Sequence, residues 1–372
     1  MHHVNRSANP EQQKSSNWQH QLVTAWQSRG WLACLLWPVS LLARVYWEIT
    51  QWIHRRRPAV SMPGAIPWVV VGNVVVGGAG KTPTTMALVR HWQQQGRRPG
   101  VVSKGHGRVI PKGFDTPIEV TAHTPAHQSG DEPLLIHQAT GAPVAVGPDR
   151  LATGQWLLKQ HPELDLLICD DGLQDSNLTP TARVIVFDDR GTGNGWMLPA
   201  GMLRQPWPLR HVHAGDVVLY TASPSAPLQE SQNLPVYTAT RQLDEQAINA
   251  LGIRQSLAEL AQSGPATAWA GIARPDRFFS MLQQTGVVLN KTLALEDHQH
   301  FDDHLHSKLM NELKWEKVFF TEKDAVKLFP SLQQTKEIAS NAWAVPLVMT
   351  LPPAFLAELD ARLSFAHGSQ AA

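Results

Sequence analysis

The sequence predicts an α/β protein with two α/β sandwich domains, preceded by an amphipathic helix near the amino terminus. Short, mostly apolar stretches such as residues 68–71 and 164–169 alternate with helical segments, a pattern typical of a parallel sheet covered on both faces. A glycine-rich turn at residues 77–80 connects one such strand to a helix. The length of 372 residues favours two domains over one.

The domain boundaries follow from two changes in composition. A proline-bounded stretch, residues 58–67, precedes the first strand, and residues 223–235 are rich in Ser, Pro and Gln. We therefore predict a tail and amphipathic helix at residues 1–57, a nucleotide-binding domain at 58–225 and a smaller α/β domain at 226–366.

The overall composition argues against polyanion binding. The net charge is +1 at pH 7, so no excess of basic residues indicates a nucleic-acid partner. Cys34 and Cys169 have neither disulfide nor metal-ligand spacing, and such sparse cysteine is typical of a reducing cytoplasmic compartment. Nothing in the sequence indicates an obligate protein partner.

The amino-terminal region is unusually rich in tryptophan, with six of the 14 tryptophans in the first 52 residues. Trp31, Leu35, Leu42 and Ile49 recur at helical spacing. The longest uncharged run, residues 30–43, has only 14 residues, fewer than the ~20 that a spanning helix needs. We therefore favour a monotopic anchor lying on a membrane surface.

Two further features qualify this anchor. Pro38 is expected to kink or split the helix. A basic cluster, residues 54–57, follows the apolar stripe and suits anionic headgroups. The alternative is that the stripe packs on the protein's own core, and the two can hold together, with one edge of the helix on the domain and the other in lipid.

The glycine-rich turn predicts a phosphate cradle. We call residues 77–82, Gly-Gly-Ala-Gly-Lys-Thr, the phosphate loop. A strand precedes this loop and a helix follows it, which is the order typical of a P-loop NTPase-like sheet. Pro83 is tolerated because it lies near the start of the helix. Glycines let backbone N–H groups turn towards phosphate, Lys81 reaches the β/γ-phosphates and Thr82 offers a hydroxyl to Mg²⁺. Val75 stands where the strict pattern has glycine.

The nucleotide-binding residues are therefore consecutive. They are Gly77, Gly78, Ala79, Gly80, Lys81, Thr82 and Pro83.

Acidic residues follow a second strand and open a helix. Asp170 and Asp171 end the apolar stretch 164–169, where carboxylates stand near the phosphate loop and can bind Mg²⁺; a helix cap is the alternative. Asp131, in Gly-Asp-Glu-Pro before a helix, is equally consistent with an N-cap and with a general base.

A stretch rich in acids and histidines, residues 296–304, lies in the second domain. Solvated loop residues, a zinc site and a His that pairs with a catalytic carboxylate are the three interpretations that its pattern leaves open.

Together these motifs resemble the tetraacyldisaccharide 4'-kinases, the lipid A 4'-kinases of Gram-negative bacteria. The matching stretches keep the family's order along the chain. They are residues 72–83, 130–133, 170–174, 198–201, 203–204, 297–298 and 321–327.

The resemblance implies ATP- and Mg²⁺-dependent phosphorylation of the 4'-hydroxyl of a tetraacylated glucosamine disaccharide 1-phosphate. Lipid IVA would form at the cytoplasmic face of the inner membrane, with the enzyme bound peripherally. The resemblance also implies that Asp131 is the base, that His298 assists it from the second domain, and that Asp170 and Asp171 serve Mg²⁺. Residues near these motifs become candidates for substrate contacts: Asn73, Lys104, His106 and Arg204.

Some positions depart from the family pattern. Lys104 stands where Arg is common and keeps the charge without the bidentate fork, while His106 replaces a Tyr. Ala79 replaces Thr, Asp175 stands where His often occurs, and Gln205 replaces Glu.

The main rival is a membrane-associated switch ATPase. Such proteins carry a similar loop and an amphipathic anchor, but with a signature lysine directly before the first glycine, where this chain has Val76. A soluble small-molecule kinase, the third possibility, leaves the tryptophan-rich amino terminus unexplained.

Overall fold

The computed structural model describes residues 26–56, 66–109, 116–175, 177–224, 234–297 and 303–368. The strands within these ranges are β1 (Trp68–Gly72), β2 (Pro99–Ser103), β3 (Ile118–Val120), β4 (Val144–Val146), β5 (Leu166–Asp170), β6 (Ala182–Phe187), β7 (Asp216–Tyr220), β8 (Val236–Thr238), β9 (Thr240–Leu243), β10 (Gln246–Asn249), β11 (Arg254–Ser256), β12 (Ala266–Ala270), β13 (Leu289–Ala294), β14 (Val318–Thr321), β15 (Ala342–Val345) and β16 (Leu347–Thr350).

The helices within the same ranges are α1 (Trp31–Arg55), α2 (Lys81–Gln94), α3 (Ala126–Ser129), α4 (Asp131–Thr140), α5 (Arg150–Gln160), α6 (Leu257–Gln262), α7 (Pro275–Gln284), α8 (Asp303–Leu313), α9 (Glu322–Leu332), α10 (Lys336–Asn341) and α11 (Pro353–Gly368).

The first sheet has eight strands in the order β3-β4-β2-β5-β1-β6-β7-β8. Every neighbouring pair is parallel except β3 and β4. The central strands are buried along their whole length, which explains their nearly continuous apolar sequences. Because β1 pairs with β5 and aligns Val71 with Asp170, the phosphate loop and the Asp170–Asp171 pair emerge side by side at the same edge.

The second sheet has six strands in the order β11-β10-β15-β14-β12-β13. Strands β12 to β15 run parallel, and β10 and β11 are antiparallel. Trp269, Phe319 and Phe320 are fully buried in it. A separate antiparallel ribbon joins β9 to β16. The predicted α/β class, with a parallel sheet around the phosphate loop and a second α/β unit, is confirmed.

The chain returns to the first sheet after completing the second. Phe355, Leu359 and Leu363 of α11 belong to the core of the first sheet. Asp360 of this helix accepts hydrogen bonds from Trp92 Nε1 and Gln95 Nε2 of the segment containing α2, each at 2.8 Å. The second sheet is therefore an insertion between β8 and α11. Our boundaries at residues 57/58 and 225/226 stay predictions, with β8 and α11 lying on the first sheet.

Helix α1 is unbroken from Trp31 to Arg55 and contains Pro38, so a split at Pro38 is wrong, and the alternative, a kink, stays a prediction. A proline removes one backbone hydrogen bond, and the remaining turns continue the helix on both sides. Ala33 and Ser40 are buried against the domain. The residues from Trp31 to His54 are long and apolar enough to cross a membrane by length and composition, two criteria that the core helices of soluble proteins and signal sequences also meet.

The outward face of α1 is strongly apolar. Large exposed side chains on this face are Trp31, Leu35, Val39, Leu42, Val45, Tyr46, Ile49 and Trp52. The helix therefore has one narrow edge on the protein, while the predicted stripe is exposed and does not pack on the protein's own core. Its attachment to a membrane stays a prediction.

Candidate active site

The phosphate loop follows β1 and leads into α2. Gly77 and Gly80 have φ angles of 89° and 94°, in the left-handed region that favours glycine. A Cβ on Gly80 would stand 3.0 Å from Thr221 Cγ2, and Thr221 Oγ1 donates to the carbonyl of Ala79 at 2.9 Å. Close packing against the end of β7 thus requires glycine at position 80. The amino end of α2 faces the loop, as an anion site requires.

Asp171 lies between two cationic side chains. Its Oδ1 is 3.6 Å from Lys81 Nζ and 3.3 Å from Arg204 Nη1. The residue has a φ of 51°, which is uncommon outside glycine, and Arg150 Nη2 donates to its carbonyl at 2.5 Å. The structure therefore holds the Asp171 carboxylate beside the phosphate-loop lysine.

Asp170 is buried, and its Oδ1 accepts a hydrogen bond from Thr85 Oγ1 at 2.8 Å. Burial, and next the charge of Glu132, raise the pKa of Asp170 to about 7. Among the described residues no hydrogen-bond partner meets its buried Oδ2. A buried carboxylate with an unmatched oxygen, close to further acids, fits a divalent cation.

The described residues contain no group of three or more His, Cys, Asp or Glu side chains arranged to hold a metal by themselves. This agrees with Mg²⁺ chemistry in nucleotide sites, where one or two carboxylates share the ion with phosphate oxygens and waters. Thr82, Asp170 and Asp171 fit that smaller donor set.

Asp131 is the first residue of α4, and it is not the N-cap. Gly130 occupies that position, so the N-cap alternative is wrong. The Asp131 side chain is buried, and its Oδ1 accepts from the Glu132 backbone N–H at 3.1 Å. Lys327 Nζ of α9 lies 3.8 Å from its Oδ2. A residue of the second sheet's unit therefore contacts the candidate base.

Lys323 makes a second link between the two units. Its Nζ donates to Glu132 Oε1 at 3.2 Å and to Asp297 Oδ1 at 2.9 Å. Burial acts to lower the pKa of the Lys323 ammonium, yet the nearby carboxylates, Glu132 first, raise it above its ordinary value. Sequence reasoning matched residues 321–327 to a family motif but assigned no role to Lys323 or Lys327.

Two of the predicted substrate residues meet at the acid pair. Arg204 Nη1 is 3.3 Å from Asn73 Oδ1, and Gln174 Nε2 donates to the Asn73 carbonyl at 2.7 Å. Gln205 is buried and accepts from Gln174 Nε2 at 3.0 Å. This residue, which departs from the family pattern, therefore helps to position the side chain that donates to the Asn73 carbonyl.

Lys104 and His106 lie beyond β2 and are exposed. His106 lines a cleft of about 1050 Å³ between the two units, together with Asp131, Glu322 and Lys327. Asp175 forms a buried ion pair with Arg150 at 3.2 Å. His298 lies outside the described residues.

A phosphate loop, a neighbouring carboxylate pair and a cleft that reaches Asp131 define a P-loop phosphotransferase. The profile of the LpxK family, tetraacyldisaccharide-1-P 4'-kinase, matches residues 32–364. The chain belongs to this family, whose activity is ATP-dependent 4'-kinase chemistry in lipid A biosynthesis. The switch-ATPase alternative is thereby excluded.

Individual relatives agree with the family. The tetraacyldisaccharide 4'-kinase of Polaromonas naphthalenivorans (strain CJ2) is 45% identical over 356 residues, covering 94% of this chain and 98% of the relative. That of Acidovorax ebreus (strain TPSY) is 44% identical over 344 residues, covering 92% and 94%. The crystal structure of LpxK from Aquifex aeolicus in complex with ATP superposes with a TM-score of 0.72 at 22% identity, covering 89% of this chain and 99% of that one, and so supports the fold.

Proposed function

We propose that this chain transfers the γ-phosphoryl group of ATP, in the presence of Mg²⁺, to the 4'-hydroxyl of a tetraacylated glucosamine disaccharide 1-phosphate, forming lipid IVA. The observation that carries the residue roles is the packing of α4's start against the segment that follows β2, because a Cβ on Gly130 would stand 3.0 Å from the His106 carbonyl oxygen. Strands β2, β5 and β1 are parallel neighbours, so Asp131, directly after Gly130, lies at the edge of the sheet that carries the phosphate loop.

Nucleotide binding is the task of the phosphate loop and Lys81. Backbone N–H groups of residues 77–82 and the amino end of α2 receive the phosphate oxygens, and Lys81 approaches the β/γ-phosphates. Thr82, Asp170 and Asp171 would hold Mg²⁺, which neutralises charge on the phosphates when bound. Arg204 and Lys81 keep Asp171 turned towards the loop through the contacts of 3.3 and 3.6 Å.

Asp131 acts as the general base. Its carboxylate accepts the proton of the 4'-hydroxyl while that oxygen bonds to the γ-phosphorus and the bond to the ADP oxygen breaks. The Glu132 N–H and Lys327 fix the orientation of this carboxylate. His298, one residue after Asp297, assists the base from the second unit.

The acceptor sugar enters through the cleft that contains His106 and Asp131. His106 lines this cleft on its first-sheet side, Lys104 lies two residues earlier in the chain, and Asn73 and Arg204 lie by the acid pair. These four residues are our candidates for contacts with the sugar and its substituents.

The substrate's acyl chains suggest where the enzyme works. The exposed face of α1 suits the apolar part of a bilayer, and the basic residues that follow it suit anionic headgroups. We infer peripheral, monotopic attachment to the cytoplasmic face of the inner membrane, where ATP is available.

The decisive experiment follows labelled γ-phosphate from ATP to a tetraacylated glucosamine disaccharide 1-phosphate. Wild-type protein is expected to give the labelled lipid, and Asp131→Asn to lose about 10²- to 10⁴-fold in kcat while still binding ATP. Asp276→Asn, at an exposed acid in the first turn of α7, is the matched control. Transfer to water or protein alone would contradict the acceptor, and near-normal turnover of Asp131→Asn would remove it as the base.

A further inference from the structure

A buried hydroxyl attaches the inner edge of α1 to the loop that precedes Arg204. Ser40 Oγ donates to the carbonyl of Met197 at 2.8 Å and accepts from the N–H of Ala200 at 2.9 Å. Ser40 is 4% exposed, so water cannot readily replace its hydroxyl as the partner of these two backbone groups. One serine on the lipid-facing helix thus satisfies two backbone groups in a distant loop.

The other end of this loop forms part of the active site. We call residues 197–204 the coupling segment. Its Met202 carbonyl accepts from Val76 N at 2.9 Å, and the N–H of Arg204 donates to the Val74 carbonyl at 2.7 Å. These bonds attach the segment to the residues immediately before the phosphate loop. The Arg204 side chain then reaches Asp171.

The coupling segment has little room to deform between these two attachments. Leu198 N donates to the Leu203 carbonyl at 2.9 Å, and Gly201 N to the Met197 carbonyl at 3.0 Å. A Cβ on Gly201 would come within 2.2 Å of the Trp196 carbonyl oxygen. Close-packed, hydrogen-bonded backbone transmits a displacement from one end to the other.

We propose that Ser40 is a positioning residue for phosphoryl transfer: through the coupling segment it sets the position of Arg204 at Asp171. The inference rests on the proposed function, since Arg204 and Asp171 matter through the nucleotide site. It gives α1 a second role besides attachment, because the seating of this helix reaches the phosphate loop through eight consecutive residues.

The experiment compares Ser40→Ala with Thr50→Ala in the full chain. Among the described residues, Thr50 Oγ1 donates within α1 alone, to the Trp47 carbonyl at 2.8 Å, so its loss is the matched control. Ser40→Ala is expected to lower kcat for lipid phosphorylation about tenfold, with sedimentation on lipid vesicles and the KM for ATP unchanged. Thr50→Ala is expected to match wild type in all three.

A double-mutant cycle with Arg204→Lys separates positioning from general destabilisation. If Ser40 acts through Arg204, the double variant is no slower than Arg204→Lys alone. Multiplied losses, or a Ser40→Ala variant indistinguishable from Thr50→Ala, would overturn the inference while leaving the kinase assignment in place. Absence of transfer by the wild type would remove the proposed function and this inference together.

A second variant protects the test against a misfolded Ser40→Ala protein. Trp26 Nε1 donates to the Pro199 carbonyl at 2.9 Å, another attachment of the coupling segment. Trp26→Phe keeps most of the ring and removes this donor. A lower kcat that is again non-additive with Arg204→Lys supports the inference, and unchanged kcat in a folded Trp26→Phe protein counts against it.

Discussion

Lys327 Nζ lies 3.8 Å from Asp131 Oδ2 and 3.4 Å from Asp324 Oδ1. The two carboxylates belong to different units, Asp131 to the first sheet's side and Asp324 to α9. The Lys327 ammonium therefore links the candidate base to the second unit, and residues of both units line the cleft beside Asp131.

Lys327→Ala should lower kcat about 10- to 100-fold, because it removes the cation that contacts two buried carboxylates and releases Asp131 from its fixed orientation. ATP binding, which we assign to the phosphate loop and Lys81, should persist. Steady-state kinetics and nucleotide titration measure both. Lys336→Ala, at an exposed lysine in α10, is the control, and equal kcat values for the two variants would contradict the role.

Lys81→Ala should lower kcat by at least about 10²-fold, because we propose that Lys81 stabilises the charge on the transferred phosphoryl group. Labelled-phosphate transfer measures it. Lys159→Ala removes an exposed lysine from the last turn of α5 and should behave as wild type. Near-normal turnover of Lys81→Ala would refute the phosphate role.

Leu35→Glu/Leu42→Glu should release the protein from vesicles, because charges on the exposed face of α1 oppose insertion into apolar lipid. The two leucines are 67% and 71% exposed, so the fold should be kept. Cosedimentation measures the effect, with Ile253→Glu/Val288→Glu, at exposed positions elsewhere, as control.

Continued sedimentation of the Leu35→Glu/Leu42→Glu protein would show that this face is not the anchor. Deleting residues 1–57 tests the same idea less cleanly, since it also removes Ser40 and its bonds to the coupling segment.

Asp170→Asn should raise the Tm of the metal-free protein at pH 8. The folded-state pKa of Asp170, about 7, lies above its ordinary value of 3.8, so the folded state binds the proton more tightly than the unfolded state. The ionised carboxylate therefore destabilises the fold above pH 7, and this loss disappears as the pH falls towards 4. Calorimetry in EDTA should show the Tm advantage of the variant at pH 8 shrinking at pH 5.

Asp276→Asn, at an exposed acid, should show no comparable change in pH dependence. A Tm difference between wild type and Asp170→Asn that does not vary with pH would mean that Asp170 is not the titrating group.

The central strands and the phosphate loop could be predicted because their signals are local. Consecutive buried apolar residues specify β1, and glycines followed by Lys81 specify the turn into α2. The edge strands β9 and β11 could not be predicted, since they are short and carry polar residues such as Arg241 and Arg254 that give no periodicity.

Long-range pairings were beyond prediction for a different reason. Arg204 and Asp171 are 33 residues apart, and Lys323 and Glu132 are 191 apart; no local pattern encodes such contacts. The sequence placed Arg204 in the site only through a family motif. Helix α1 was predicted as amphipathic, but its narrow inner edge at Ser40 became visible only in three dimensions.

The return of α11 to the first sheet has a consequence for biosynthesis. Phe355 and Leu359 complete a core whose strands, β1 to β8, leave the ribosome before the entire inserted sheet is made. Part of the apolar surface of the nucleotide-binding half therefore stays uncovered until more than one hundred further residues have been translated. The inserted sheet has its own buried clusters and can fold during that interval, so the part of the chain synthesised first is the part that is finished last.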